Sequence, residues 1–216
     1  TGEATGNWFG SAVAVGDVTG DGYADVVAAA NGYSASTGRV YVFHSTGSGG
    51  VLTTAAASAS TVITGQATGD FFGGSVAVGD VNGDGFADVA AGALGYTSTG
   101  RVYVFHSVGP AGVTTTAAAS ASTVITGQTT SNAFGSAVAV GDVTGDGYAD
   151  VAAGALGYSA NTGRVYVFHS VGPAGVTTTA AASASTVITG QTTSNYFGYS
   201  VAVGDVTGDG YADVAA

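Results

Sequence analysis

Phe9-Gly10-Ser11-Ala12-Val13-Ala14-Val15-Gly16-Asp17-Val18-Thr19-Gly20-Asp21-Gly22-Tyr23-Ala24-Asp25 is the stretch on which the fold turns. A run of small and apolar residues leads into a nine-residue loop, Asp17 to Asp25, that carries three aspartates. The Phe-Gly pair returns at Phe72-Gly73, Phe134-Gly135 and Phe197-Gly198, at spacings of 63, 62 and 63 residues. A fixed period of this kind marks a repeat architecture. Arg39, Arg101 and Arg164 keep step with it, as do His44, His106 and His169. The one-residue difference falls between Asn31–Gly38 and Leu94–Gly100, which predicts a loop there, because an insertion inside a strand would turn its side chains to the wrong faces. Residues 101–132 are identical to residues 164–195, the mark of recent duplication or of a longer regular array.

Each repeat reads as four short strands. Ser11 to Val15 is small and apolar, Ala24 to Ala30 is a second apolar run, and Gly38 to Ser45 is rich in β-branched and aromatic residues. Thr61 to Thr64 is a shorter fourth strand. Val40, Tyr41, Val42 and Phe43 are apolar without alternation, so the third strand should be covered on both faces, as in sheets stacked face to face. Ala55 to Ser60 is read as a loop, since Ser and Thr surround it and it has no apolar period. Four strands per repeat predict an all-β fold, a β-propeller of four-stranded antiparallel blades, with about 3.5 blades present. The expected units are 1–63, 64–125 and 126–188, with a partial blade at 189–216. A closed propeller needs about four to eight blades, so the expectation is a longer polypeptide of about seven, or one part of a multi-chain assembly.

The composition narrows the function. The 216 residues are 45% hydrophobic and only 8% charged, with 11 Tyr and 9 Phe, enough to bury a core. No apolar run approaches the ~18 residues of a membrane helix, and no leader peptide is visible ahead of the repeats. There is no Cys, so neither disulfides nor thiolate metal sites contribute. The net charge is -11, with three Arg and no Lys. Nucleic-acid binding needs cations to displace phosphate counterions, and attraction to anionic lipid needs them too, so both are excluded.

The acids are concentrated. Twelve of the fourteen lie in the four equivalent loops, and only Glu3 and Asp70 fall outside. Carboxylates stand at positions 1, 5 and 9: Asp17, Asp21 and Asp25; Asp80, Asp84 and Asp88; Asp142, Asp146 and Asp150; Asp205, Asp209 and Asp213. Position 3 offers a neutral oxygen from Thr19, Asn82, Thr144 or Thr207. Position 6 is Gly (Gly22, Gly85, Gly147, Gly210), which permits a sharp turn. At position 7 the backbone carbonyl of Tyr23, Phe86, Tyr148 or Tyr211 is a further candidate ligand. Oxygens at 1, 3, 5 and 7 with Gly at 6 match the first part of an EF-hand loop, without its Glu at position 12 and with strands in place of helices.

Two carboxylates ~4 Å apart repel by roughly 4 kcal/mol at an effective dielectric near 20, and each complete repeat has one Arg to set against three of them. All-oxygen, flexible ligation favours Ca²⁺ over Zn²⁺, and one Ca²⁺ per repeat, four in the chain, is expected. A neutral position 3 suggests affinities of ~10⁻⁴ to 10⁻³ M, the range of extracellular modules. Such sites would be nearly empty in a resting cytosol, which points to an extracellular or cell-surface setting. The competing reading is that the Asp-Gly pairs merely make hairpin turns.

In combination these motifs resemble the FG-GAP repeat of integrin α-subunit propellers and their bacterial relatives. Phe-Gly opens the blade, the aspartate loop follows the first strand, and Gly-Arg-Val-Tyr-Val-Phe resembles the third strand. Ala91-Gly92-Ala93 and Ala153-Gly154-Ala155 are similar to the Gly-Ala-Pro element, from which Ala29-Ala30-Asn31 departs further. The resemblance implies calcium loops between the first two strands of each blade that rigidify it. It also implies adhesion or ligand recognition at a cell surface, with a protein or a glycan as ligand.

Every candidate for catalysis is repeated, whereas active sites are singular, so no enzyme is expected. His44, His106 and His169 are read as structural strand-end residues. The Arg residues are expected to pair with an acid or cap carbonyls. Trp8 shares its slot with Phe71, Ala133 and Tyr196 and is read as packing. Three non-catalytic readings remain: an adhesion or surface scaffold module, a subunit of an extracellular filament, sheath or surface layer, and a multivalent lectin. Other copies or further repeats of the same array are the expected partners.

Overall fold

The computed structural model describes residues 1–52 and 55–216. Strands β1 (Phe9–Gly16), β2 (Asp25–Ala30), β3 (Arg39–Phe43) and β4 (Thr61–Thr64) form one antiparallel sheet in the order β1-β2-β3-β4. The second blade repeats this with β5 (Phe72–Gly79), β6 (Asp88–Ala93), β7 (Arg101–Phe105) and β8 (Thr123–Thr126). In the third, β9 (Phe134–Gly141), β10 (Asp150–Ala155) and β11 (Arg164–Phe168) are followed by the short β12 (Thr179–Ala180) and then by β13 (Thr186–Thr189) on the sheet edge. The last residues contribute the pair β14 (Ala202–Gly204) and β15 (Asp213–Ala215). The architecture is a run of propeller blades, as the sequence predicts.

The core lies between blades. Side chains alternate across a strand, so Val40 and Val42 face the second blade while Tyr41 and Phe43 face away from it. Val27, Ala29, Val40, Val42 and Ile63 of the first blade share a cluster with Phe72, Val76, Val89, Tyr103 and Phe105 of the second. One blade further on, Val102, Val104 and Ile125 meet Phe134, Val138, Tyr166 and Phe168. The third strand is therefore covered on both faces, which explains its unbroken apolar run. Each blade also carries an aromatic triad. Phe72 meets Tyr103 and Phe105 edge-on at 5.6 and 6.1 Å, while Tyr103 and Phe105 stack at 6.4 Å. Geometries of this kind contribute about 0.5–1.5 kcal/mol beyond the buried area.

Neighbouring blades are also laced at their outer edges. Residues 113–117 of the second blade run beside β4 of the first: the Thr61 hydroxyl donates to the Val113 carbonyl, and the Thr64 amide donates to Thr116 at 3.1 Å. One repeat later, β12 pairs in parallel with β8. The Tyr103 hydroxyl donates to Gln66 at 2.8 Å and Tyr166 to Gln128 at 2.9 Å, tying each third strand to the connector that precedes its own blade.

Three local features refine the sequence reading. The one-residue difference in period lies in the turn before the third strand, which is a four-residue helical turn at Tyr33–Ser36 and a three-residue 3-10 turn at Tyr96–Ser98. Ala55 to Ser60, read as a loop, contains a 3-10 turn at Ala56–Ser58 whose Ala56 is fully buried. Trp8, Phe71, Ala133 and Tyr196 share a left-handed backbone, φ 51° to 56°, so what their slot repeats is a conformation rather than a side chain.

Candidate metal centre

Each aspartate loop joins the first two strands of a blade. The hairpin closes at the Gly16–Asp25 pair, and the equivalent pairs are Gly79–Asp88, Gly141–Asp150 and Gly204–Asp213. Position 6 is glycine because the chain turns through φ 85° to 90° there, a region L-residues enter at a cost.

The position 1 carboxylate organises the turn. Asp17 accepts the amides of Gly20 (2.7 Å), Asp21 (3.1 Å) and Gly22 (2.7 Å). Asp80, Asp142 and Asp205 do the same in their loops. At position 5, Asp21 accepts the Tyr23 amide at 2.9 Å, and Asp84, Asp146 and Asp209 accept the amides of Phe86, Tyr148 and Tyr211. Position 9 is the buried anchor. Asp25, Asp88 and Asp150 are at most 1% exposed. Asp25 accepts the amides of Val18 (2.9 Å), Thr19 (3.2 Å) and Ser45 (2.7 Å), so it pins the loop to the end of the third strand. Asp88 and Asp150 accept the corresponding amides of Ser107 and Ser170 at 2.8 Å. Asp213 accepts the amides of Val206 and Thr207.

Position 3 links the carboxylates. The Thr19 hydroxyl lies 3.3 Å from Asp25 and 3.5 Å from Asp17. Thr144 reaches Asp142 at 3.3 Å, and the Asn82 amide reaches Asp84 at 3.1 Å. Among the described residues, no three His or acidic side chains converge closely enough to hold a metal ion by themselves. The oxygens at positions 1, 3 and 9 are nevertheless within a hydrogen bond of one another through Thr19. An ionised carboxylate offers about four lone-pair positions, so Asp21, Asp146 and Asp209, with one backbone amide each, retain most of theirs, and Asp84, which also accepts the Asn82 side-chain amide, retains about half. The donor set of carboxylates, hydroxyl or amide oxygen and backbone carbonyl fits a hard cation.

The electrostatics favour one as well. Burial is the main cause that pushes the Asp88 carboxyl up to about 7; the Ser107 and Val81 amides oppose it, and the charges of Asp84 and Asp80 add to it. Asp150 is raised by burial in the same way. Burial also pushes Asp142 up, but the amides of Gly147, Gly145 and Asp146 and the Thr144 hydroxyl outweigh it and leave the group below its ordinary value. Asp205, led by the Gly210 amide, is lowered too. Among the described residues the ion pair is Arg39–Glu3 at 2.8 Å, at the far end of the third strand, about 20 Å along the chain from Ser45. The other arginines serve that end as well. Arg39, Arg101 and Arg164 lie 3.6 to 3.7 Å over the rings of Tyr33, Tyr96 and Tyr158, and Arg101 also reaches Gln66 at 3.3 Å. An acid partner therefore holds for Arg39, while the cation–π stack is the shared feature, missed because Tyr and Arg stand six residues apart across a turn in the first and third repeats.

The histidines close their strands through the backbone: His44, His106 and His169 donate main-chain N–H to Ser60, Ser122 and Ser185. Burial lowers the pKa of the His106 side chain, against the charges of Asp84 and Asp80.

The FG-GAP repeat profile matches residues 9–43, 72–105, 134–168 and 197–216, which in the three complete blades is the stretch from the first strand to the third. The chain belongs to the FG-GAP repeat family. Integrin alpha-PS2 of Drosophila melanogaster is 35% identical over 168 residues, covering 71% of this chain and 12% of the relative. Integrin alpha-V of Gallus gallus is 30% identical over 217 residues, covering 96% of this chain and 20% of the relative. This FG-GAP chain thus spans about an eighth to a fifth of the length of those integrins. Among solved structures, the rhamnogalacturonan lyases YesW and YesX superpose with TM-scores of 0.54 and 0.55 at 14% identity, over 94% of this chain and 39% and 37% of theirs, a likeness of fold. Among the described residues, no helix is long and apolar enough to cross a membrane.

Proposed function

We propose that the four loops bind Ca²⁺, one per repeat, and that the chain acts outside the cell as a non-catalytic adhesion or surface scaffold module stiffened by the ion. The observation that carries this is the buried position 9 carboxylate, Asp25, Asp88 and Asp150, with no salt bridge to it among the described residues; the charges of Asp84 and Asp80 bear on Asp88, and that of Asp146 bears on Asp150, where His169 opposes it. Asp17, Asp21 and Asp25 with the Thr19 hydroxyl and the Tyr23 carbonyl would hold the ion in the first loop, and the equivalent residues in the others. Because position 9 also accepts an amide from the end of the third strand, an ion there braces three strands of the blade together. The integrin relatives support the adhesive reading. The repetition of every candidate group supports a non-catalytic one.

The partner we propose is a further repeat of the same kind, in the same polypeptide or in another copy. Val13 and Val15 are 65% and 66% exposed on β1, whereas Val76 and Val138 at the place of Val13 are buried against the preceding blade. This observation also favours, as a second reading, a repetitive structural array such as a filament or surface layer. Thermal unfolding in millimolar Ca²⁺, in Mg²⁺ and in chelator tests the first proposal. A rise in Tm specific to Ca²⁺ is expected, and identical curves in the three buffers would overturn it.

A further inference from the structure

The four loops touch one another, and the contacts run through their expected ligands. The amide of Ala87, at position 8 of the second loop, donates to the carbonyl of Asp17, at position 1 of the first, at 2.8 Å. Ala149 donates to Asp80 and Ala212 to Asp142 at the same distance. Beside each bond lies an aromatic ring. A side chain placed on Gly20 would overlap the ring of Phe86, one on Gly83 the ring of Tyr148, and one on Gly145 the ring of Tyr211. Gly208, whose loop has no following blade among the described residues, meets nothing within 4 Å.

The peptide unit is planar and trans, so its C=O and N–H point in opposite directions and turn together. The Ala87 N–H shares a plane with the Phe86 carbonyl, the expected position 7 ligand of the second loop. The Asp17 carbonyl shares a plane with the Val18 N–H, which donates to the position 9 carboxylate Asp25 at 2.9 Å. A continuous line therefore runs from Asp25 through the Val18–Asp17 peptide to the Ala87–Phe86 peptide. The same line runs from Asp88 through Val81 and Asp80 to Ala149 and Tyr148, and from Asp150 through Val143 and Asp142 to Ala212 and Tyr211.

We propose that Phe86, Tyr148 and Tyr211, with the amides that follow them, are positioning residues that couple cation binding in one loop to the next, so that filling a loop raises its neighbour's affinity. This rests on the reading that the loops bind Ca²⁺. An ion that fixes Asp17 and Asp25 fixes the peptide plane against which the Phe86 carbonyl is aligned, and the ordering then costs the second ion less. Repulsion between ions opposes this, but each loop carries three carboxylates and remains net negative when filled. Screening beyond ~8 Å at physiological salt weakens the repulsion further. The coupling is reciprocal, and factors of about 5 to 150 are typical of coupled sites; we expect the lower end.

The test is a Ca²⁺ titration of the full chain at about 0.15 M salt, read by competition with a chromophoric chelator. The expected result is several sites per chain with a Hill coefficient clearly above 1. Asp84→Ala, which breaks the second loop, should bring the coefficient toward 1 and weaken the remaining sites about fivefold. Phe86→Ala should lower the coefficient and Phe86→Tyr should restore it, a rescue that general loss of packing would not give; circular dichroism in chelator checks that both variants are folded. Independent sites with a coefficient of 1 or less, unchanged by Asp84→Ala, would overturn the coupling and leave the calcium reading standing. No binding at millimolar Ca²⁺ would overturn that reading and the coupling with it.

Discussion

Replacing Asp88 by Asn should destabilise the chain in chelator and cost more again in calcium. The carboxyl is 1% exposed and accepts the Ser107 amide at 2.8 Å and the Val81 amide at 3.0 Å. Burial pushes its pKa up to about 7, so near pH 5.5 the metal-free group is largely protonated. The hydroxyl oxygen of a protonated acid still accepts a hydrogen bond whereas a carboxamide nitrogen only donates, so one of the two amides, each on its own carboxyl oxygen, loses its acceptor in the variant at a cost of about 1 to 3 kcal/mol. The sign follows from linkage. The folded state holds a proton that the unfolded state releases near pH 4. Asp88 therefore contributes stability below pH 4 that is lost as pH rises toward about 7, and the variant lacks this slope. Calcium widens the difference, because the ion needs the ionised carboxylate. At one to ten times the dissociation constant a filled site contributes about 0.4 to 1.4 kcal/mol, or roughly 1 to 6 °C in Tm for a chain of this size. The assay is differential scanning calorimetry of parent and Asp88→Asn, with calcium and with chelator, from pH 5 to 8. Equal destabilisation in both buffers at every pH would refute the reasoning, since Asp88 would then be a structural anchor alone.

Other changes separate the parts of the account. Gly83→Ala should destabilise by about 2 to 4 kcal/mol, combining left-handed backbone strain with a clash against Tyr148, whereas Gly208→Ala should cost only the ~1 to 2 kcal/mol of strain; urea denaturation compares them. Tyr166→Phe removes the hydroxyl bonded to Gln128 and should cost about 0.5 to 1.5 kcal/mol without changing calcium affinity, as denaturation and titration of the same variant would show. Arg164→Met loses the stack on Tyr158 and should cost about 0.5 to 1 kcal/mol, with no effect on the loops.

The blades were readable because their signals are local and recur. Val40 to Phe43 has no alternation because both faces are buried, and that pattern alone implied stacked sheets. The position of the inserted residue, between Asn31 and Gly38, was legible because a strand would not accept it. The aspartate loop was legible as a turn after the first strand, yet its internal bonding was not. Asp17 spends its carboxylate on three amides, and the serine amide that holds Asp25 comes from 20 residues away. The hydrogen bonds that join the blades left no trace in the sequence pattern. Ala87 and Asp17 are 70 residues apart and meet through backbone atoms, for which any side chain would serve. Gln66 and Tyr103 recur in step as Gln128 and Tyr166, but nothing in their spacing says that they touch. The arginines were expected to pair with an acid or cap carbonyls; among the described residues Arg39 pairs with Glu3, and all three lie over tyrosine rings.

The most direct test of calcium in the four loops is equilibrium dialysis of the full chain against 5 mM Ca²⁺ followed by metal analysis, with Asp88→Asn alongside. The account predicts close to four ions per parent chain and about one fewer in the variant. An ion count near zero, or a count that Asp88→Asn leaves unchanged, would contradict it.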